Sequence, residues 1–188
     1  MDNEITSVLE FWFGSAKPEQ MATHRDMWWM KDREIDQQII NQFADLYEQA
    51  ANGTLEHWKE DPLGCLALIL LLDQFPRNMF RDSAKSFATD EQALDVTRYV
   101  LEREWDADLV LAARLFIYLP LEHSENVDDQ NAAVTLISSL GDENYTDFAL
   151  RHRDIVKRFG RFPHRNKILG REDTKEEAAF LKQPGSGF

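Results

Sequence analysis

Residues 66–72 read LALILLL, and this run constrains the fold more than any other part of the chain. Seven apolar residues in succession must be buried on nearly every face. A central helix or a buried strand could do this. Leu and Ala dominate the run, β-branched residues are nearly absent, and no other segment reads as a strand to pair with it. A helix is therefore the expected form. Asp61-Pro62 supplies its start, the carboxylate as cap and the proline in the first turn. The run is far shorter than the roughly 20 residues that span a bilayer.

The rest of the chain also reads as helices. Ile5–Phe13 is a short amphipathic helix ended by Gly14, and a polar, aromatic loop carrying Trp28-Trp29 follows. From about Asp32 to Asn52, Ile35, Ile39, Phe43, Leu46, Tyr47 and Ala50 keep spacings of three and four until Gly53 stops them. Thr89-Asp-Glu-Gln92 has the capping-box form and opens a helix to about Arg103. Leu109–Leu119 is expected to end at Pro120. Helices over about Val127–Leu140 and Asn144–Phe159 stop at Gly141 and Gly160, and Thr174-Lys-Glu-Glu177 is a second capping box. The sequence thus predicts an all-α fold: one domain over residues 1–188, about nine helices, with 1–4 and 183–188 as loose tails. No composition break marks a linker, and no repeat stands out.

The formal charge of −13 opposes nucleic acid and anionic membranes as partners. Charge is unevenly spread, however. Acids dominate 102–147, whereas Arg151 to Arg171 is a basic block, partly explained as cations in the last turns of a helix. Cys65 is the single cysteine, so no internal disulfide can form and a reducing compartment is expected. The start MDNEITSVLEFWFG lacks the basic region of a signal peptide, which makes the cytoplasm the expected location.

Three polar segments follow strongly apolar helices, where simple Gly/Ser loops would be ordinary. LDQFPRNMFR supplies Asp73, Gln74, Arg77, Asn78 and Arg81. YLPLEHSE, with Gln130 a little further on, supplies Glu122, His123, Ser124 and Glu125. FGRFPHRNKILGR supplies Arg161, His164, Arg165, Asn166 and Arg171. Pro76 and Pro163 should turn the preceding Phe away from helical geometry and begin a new turn, where arginines lie beside exposed N–H groups suited to a carboxylate or phosphate. Three readings stay open. The segments form a site for a small anion or peptide carboxylate, with Trp28 and Trp29 as a possible aromatic wall. They form a hydrolase or transferase centre with His123 or His164 as general base, oriented by Glu122 or Glu125. Or they are an internal ion-pair lattice that pins helix ends together. No H-E-x-x-H, cysteine pair, Walker or dinucleotide pattern occurs, so neither a metal nor a cofactor is expected. The oligomeric state is not legible.

VLEFWFG, the WW pair, LDQFPRNMFR, ATDEQAL, YLPLEHSE, RFGRFPHRNKILGR and FLKQPGSGF together resemble the family known as domain of unknown function 924. The resemblance runs from about residue 7 to the C-terminus. It implies an all-α, tetratricopeptide-like fold and no particular reaction. Asp82 stands where the family motif carries a glycine, so a slightly different loop is expected there.

Overall fold

The structure is a computed structural model that describes residues 2–187. Helices, short 3-10 turns and one π-turn make up its regular structure, and no strand occurs among the described residues. The helices are α1 (Asn3–Phe13), α2 (Arg33–Ala51), α3 (Pro62–Ile69), α4 (Phe75–Met79), α5 (Asp90–Leu101), α6 (Leu111–His123), α7 (Val127–Ser138), α8 (Glu143–Phe159) and α9 (Lys175–Phe180). Local chemistry sets many of their ends. Asp32, Asp61 and Asp142 each accept two N–H groups of the turn they open, and Gly14 and Gly160 close α1 and α8 in the left-handed conformation. The predicted capping box at Thr174 is present.

Two compact units share the chain. The first comprises 1–81 and 85–120, the second 82–84 and 121–188. The boundary at Pro120 falls inside α6, which is why no change of composition marks it. In the first unit α2 packs on α4, and α3 on α1 and α5. Its aromatic core gathers on fully buried Phe116, whose ring meets Trp12, Phe13 and Trp28 at centroid distances of 5.5, 5.5 and 5.0 Å. In the second unit α7 packs on α8, and Ile155, Val156 and Phe162 are buried against Phe159 and Phe180.

Two expectations about prolines are corrected. Phe75 keeps helical angles (φ −63°, ψ −38°) directly before Pro76, so the chain does not break there. It passes from α3 into α4 through a single π-turn, Leu70–Gln74, in which the Phe75 N–H donates to the Leu70 carbonyl. A proline within a helix clashes with the carbonyl four residues back and offers it no N–H. That carbonyl belongs to Leu72. The wider turn accommodates the ring, and the buried Thr89 hydroxyl donates to the Leu72 carbonyl instead. Thr89 is thereby diverted from the expected capping box, and its side chain makes no cap bond to α5. Pro120 likewise lies inside α6 rather than ending it. Thr97 of α5, fully buried, donates its hydroxyl to the Ile117 carbonyl at 2.8 Å, three residues before that proline.

Asp82 has φ 61°, the left-handed region that favours glycine. Aspartate tolerates this conformation at a cost of about 1–2 kcal/mol, so the loop keeps a geometry that a glycine would also adopt.

Thr89→Val keeps the side-chain shape and leaves the Leu72 carbonyl buried without a donor. We expect a loss of about 1–3 kcal/mol in urea unfolding. An unchanged midpoint would mean that the hydroxyl does not support the π-turn.

Candidate functional site

The first polar segment is saturated within its own unit. The π-turn carries Asp73 to zero exposure, where Gln74 donates to one carboxylate oxygen and Arg77 Nη1 lies 3.2 Å from the other. Arg77 also donates to the Asp73 carbonyl at 2.6 Å and grips Asp90 of α5 with two bonds of 2.8 and 3.0 Å. Asn78 and Arg81 both donate to the carboxylate of Asp36 on α2, in three bonds altogether. Asp36 and Asp90 were not among the residues singled out by sequence, and nothing in their spacing distinguishes them from other acids on those helices. Trp28 is buried against Phe116 and donates its indole N–H to the Trp12 carbonyl at 2.9 Å. Trp29 stacks on Phe116 at 6.0 Å and remains 46% exposed. A small cavity of about 100 Å³ in this unit is lined by Leu55, Lys59, Leu72, Gln92 and Asp95 among others, and by none of the predicted site residues.

The other two segments share the second unit. Phe162 is extended before Pro163, as expected, and Pro163–Arg165 forms a 3-10 turn. Glu125 receives two parallel bonds from Arg171, 2.7 and 2.9 Å, and a third from the Phe162 N–H at 2.7 Å. Burial alone would raise its pKa, but these donors outweigh it and hold the carboxyl below the usual range. Arg171 further donates to Asn166 Oδ1 and the Phe162 carbonyl, while Asn166 donates to Asp173. Arg161 clasps Glu177 with bonds of 2.7 and 2.8 Å, and this pairing pushes the Glu177 carboxyl down to about 2. Four of the five predicted arginines, Arg77, Arg81, Arg161 and Arg171, are thus engaged bidentately by carboxylates. Ser124 is a turn element: it donates to Asp129 at 2.7 Å and accepts the Asn126 N–H.

Around Phe162 a different arrangement emerges. Its ring lies 5.6 Å from His152, 5.6 Å from His164 and 4.7 Å below the guanidinium carbon of Arg165, while His123 is 6.5 Å from His152. Arg165 is 7% exposed. His152 of α8, 6% exposed, sets Nδ1 2.9 Å from the Phe148 carbonyl and 3.2 Å from the Glu122 carboxylate. Both partners accept, so the N–H sits on Nδ1. Burial chiefly lowers the His152 pKa, to about 3, and His123, Arg165 and His164 add to the effect. Burial and then Arg165 push His164 down to about 4, against the opposing pull of Glu125. Gly187 passes over His164, its α-carbon placed so that a β-carbon would meet the His164 Cβ at 3.5 Å. Gln130, fully buried, donates both amide hydrogens to the carbonyls of Glu122 and Ser124. Sequence reasoning found His123, His164, Arg165 and Gln130 but missed His152, which lies among the bases of an amphipathic helix. Its only signal was a histidine four residues after Phe148 and in phase with the apolar face.

Among the described residues no group of three or more His, Cys, Asp or Glu could hold a metal ion. No helix there is long and apolar enough to cross a membrane.

An all-α chain of this kind, with its polar motifs at the ends of apolar helices, has counterparts among bacterial proteins. The chain belongs to the family described as a bacterial protein of unknown function (DUF924), which matches residues 8–185. It is also similar to a solved structure, the protein of unknown function ATU0120 from Agrobacterium tumefaciens: 40% identity, 95% of this chain and 96% of that one covered, TM-score 0.85. No curated protein matches the chain.

Two predictions follow the ion pairs. Arg77→Met strands the buried Asp73 and should cost about 3–5 kcal/mol in chemical unfolding; a near-neutral effect would remove the lattice from the stability of the first unit. Glu177 has a folded pKa of about 2 against an ordinary 4.5. A depressed carboxyl stabilises above its unfolded pKa, and that contribution is lost as pH falls from 4.5 toward 2. Urea midpoints measured from pH 7 to 3 should fall at the acid end, and Arg161→Met should flatten this slope. An identical slope in the variant would assign the acid sensitivity elsewhere.

Proposed function

We propose that the protein is a binding module whose second unit accepts a small anion, a carboxylate or a phosphate, at the cluster of His123, His152, His164 and Arg165. One observation carries this reading: His152, His164 and Arg165 lie around Phe162, with His123 6.5 Å from His152, and burial together with Arg165 disfavours a positive charge on His152 and His164. His123 and His164 lower the proton affinity of His152, His123 lowers that of His164, and Arg165 lowers both His152 and His164. An anion seated there relieves the opposition and raises the affinity of the imidazoles for protons. Binding is therefore linked to proton uptake and strengthens as pH falls.

A catalytic reading draws on the Glu122–His152 contact, in which a carboxylate orients an imidazole as in many general-base pairs. It replaces His123 and His164 as the base with a residue on α8. Its pKa of about 3 lies far below the neutral range suited to a general base, so binding is the better-supported function.

Thermal shift with phosphate, sulfate, acetate, citrate and peptide carboxylates at pH 7.5 and 5.5 tests the proposal. A hundredfold excess over Kd stabilises by about 2.7 kcal/mol, and at about 2–4 °C per kcal/mol the midpoint should rise by about 5–11 °C. The rise should be larger at pH 5.5 and should vanish in Arg165→Met or, if that variant is unfolded, in His164→Gln. Equal midpoints with and without every anion at both pH values would refute it.

A further inference from the structure

Gln130 places a second chemical demand on the same turn. Its side chain is fully buried, and Nε2 donates to the carbonyls of Glu122 and Ser124 at 2.5 and 2.7 Å. These are the residues on either side of His123. Carbonyls only accept, so the amide orientation is fixed by its two partners and cannot be reversed to swap the roles of nitrogen and oxygen. Oε1 is then an acceptor at full burial, and no donor among the described residues meets it. Buried acceptors are nearly always satisfied, because leaving one without a donor is costly. The donor must come from beyond the described residues.

We infer that the anion held by this cluster carries its own hydrogen-bond donor, an O–H next to the charged group, which is delivered to Gln130 Oε1. This rests on the anion-binding reading above and narrows it to a chemical class: hydroxycarboxylates and protonated phosphates, rather than plain carboxylates or sulfate. The charge is assigned to Arg165 and the imidazoles, and the hydroxyl to the amide oxygen of Gln130, whose Nε2 holds the carbonyls flanking His123 in the chain. Recognition is thereby divided between a charge and a directed donor. A site that offers a hydroxyl its only buried acceptor rejects the analogue lacking that hydroxyl, since the acceptor is then left unmet.

Two ligand pairs isolate the donor. Lactate and propionate differ by one hydroxyl, and monohydrogen phosphate carries a proton that sulfate lacks at neutral pH. Titration calorimetry on the wild-type chain should give lactate at least tenfold tighter binding than propionate, and phosphate at least tenfold tighter than sulfate. In parallel, the Gln130 side-chain amide signal, assigned by through-bond NMR on the intact protein, should move with lactate and stay still with propionate. Gln130→Met, if folded, should bring lactate down to the affinity of propionate.

The outcomes separate the anion site from the hydroxyl contact. Equal affinities within each pair would mean that water meets Oε1, which overturns this inference and leaves the anion site standing. No binding by any of the four would overturn the anion site and this inference with it. A tenfold preference that persists in folded Gln130→Met, with a motionless Gln130 signal, would place the donor's partner elsewhere and overturn the role given to Gln130.

Discussion

Asp73 is a carboxylate with no exposure to solvent, and the first unit is arranged around that fact. A buried charge is tolerable only if it is paired and its remaining lone pairs are met. The π-turn that lets α3 continue through Pro76 also carries Asp73 inward, so accommodating the proline and burying the charge are one structural event. Both consequences are resolved by the start of α5. Thr89 meets the carbonyl that Pro76 cannot, and Asp90 holds the second side of Arg77, whose first side faces Asp73. Two adjacent residues thus fix where α5 begins, and Arg81 with Asn78 ties the same stretch to α2 through Asp36. The apolar run that dominates the sequence is held in place by polar groups at its end.

Helices were legible where their own residues set their limits. The aspartate cap at 61 and the glycine stops at 14 and 160 act over a few residues, and the sequence reading places them well; the caps at 32 and 142 act over the same range but were not singled out. The failures at Pro76, Pro120 and the Thr89 box share a different cause. In each, a threonine of α5 or its cap reaches a carbonyl 17 or 20 residues away in sequence. No local pattern encodes that partner. At Pro76 the helix continues because a tertiary donor replaces the missing N–H, whereas at Pro120 the deprived carbonyl is that of Phe116 and Thr97 meets the neighbouring Ile117 carbonyl.

QFPRNMFR and RFPHRN share a Phe-Pro step followed by an arginine and an asparagine, yet the fold treats them differently. In the first the proline rides inside a continuous helix, and in the second it follows an extended Phe and opens a 3-10 turn. The arginines diverge accordingly. Arg77 is gripped by two aspartates, one of them fully buried, whereas Arg165 lies over the face of Phe162. The Glu125–Arg171 pair joined two residues already singled out, but the partners of Arg77 and Arg81, Asp90 and Asp36, are ordinary helix acids until the fold brings them in, and Glu177, partner of Arg161, was read only as part of a capping box.

Scaffold and candidate site can therefore be told apart by what each cation does to its surroundings. A guanidinium that clasps a carboxylate lowers that carboxyl and is spent in doing so, as Arg161 is on Glu177. Arg165 helps to lower Glu125 too, but it also acts on imidazoles, and against them: it disfavours charge on His152 and His164, two groups that could carry a proton. A purely structural cluster gains nothing from such opposition, since apolar side chains of similar volume would pack around Phe162 without it. Opposition of this kind becomes useful when a negative charge arrives, because the same contacts then turn from costs into attractions. On that argument the proposed ligand site falls in the second unit, not in the more heavily paired first.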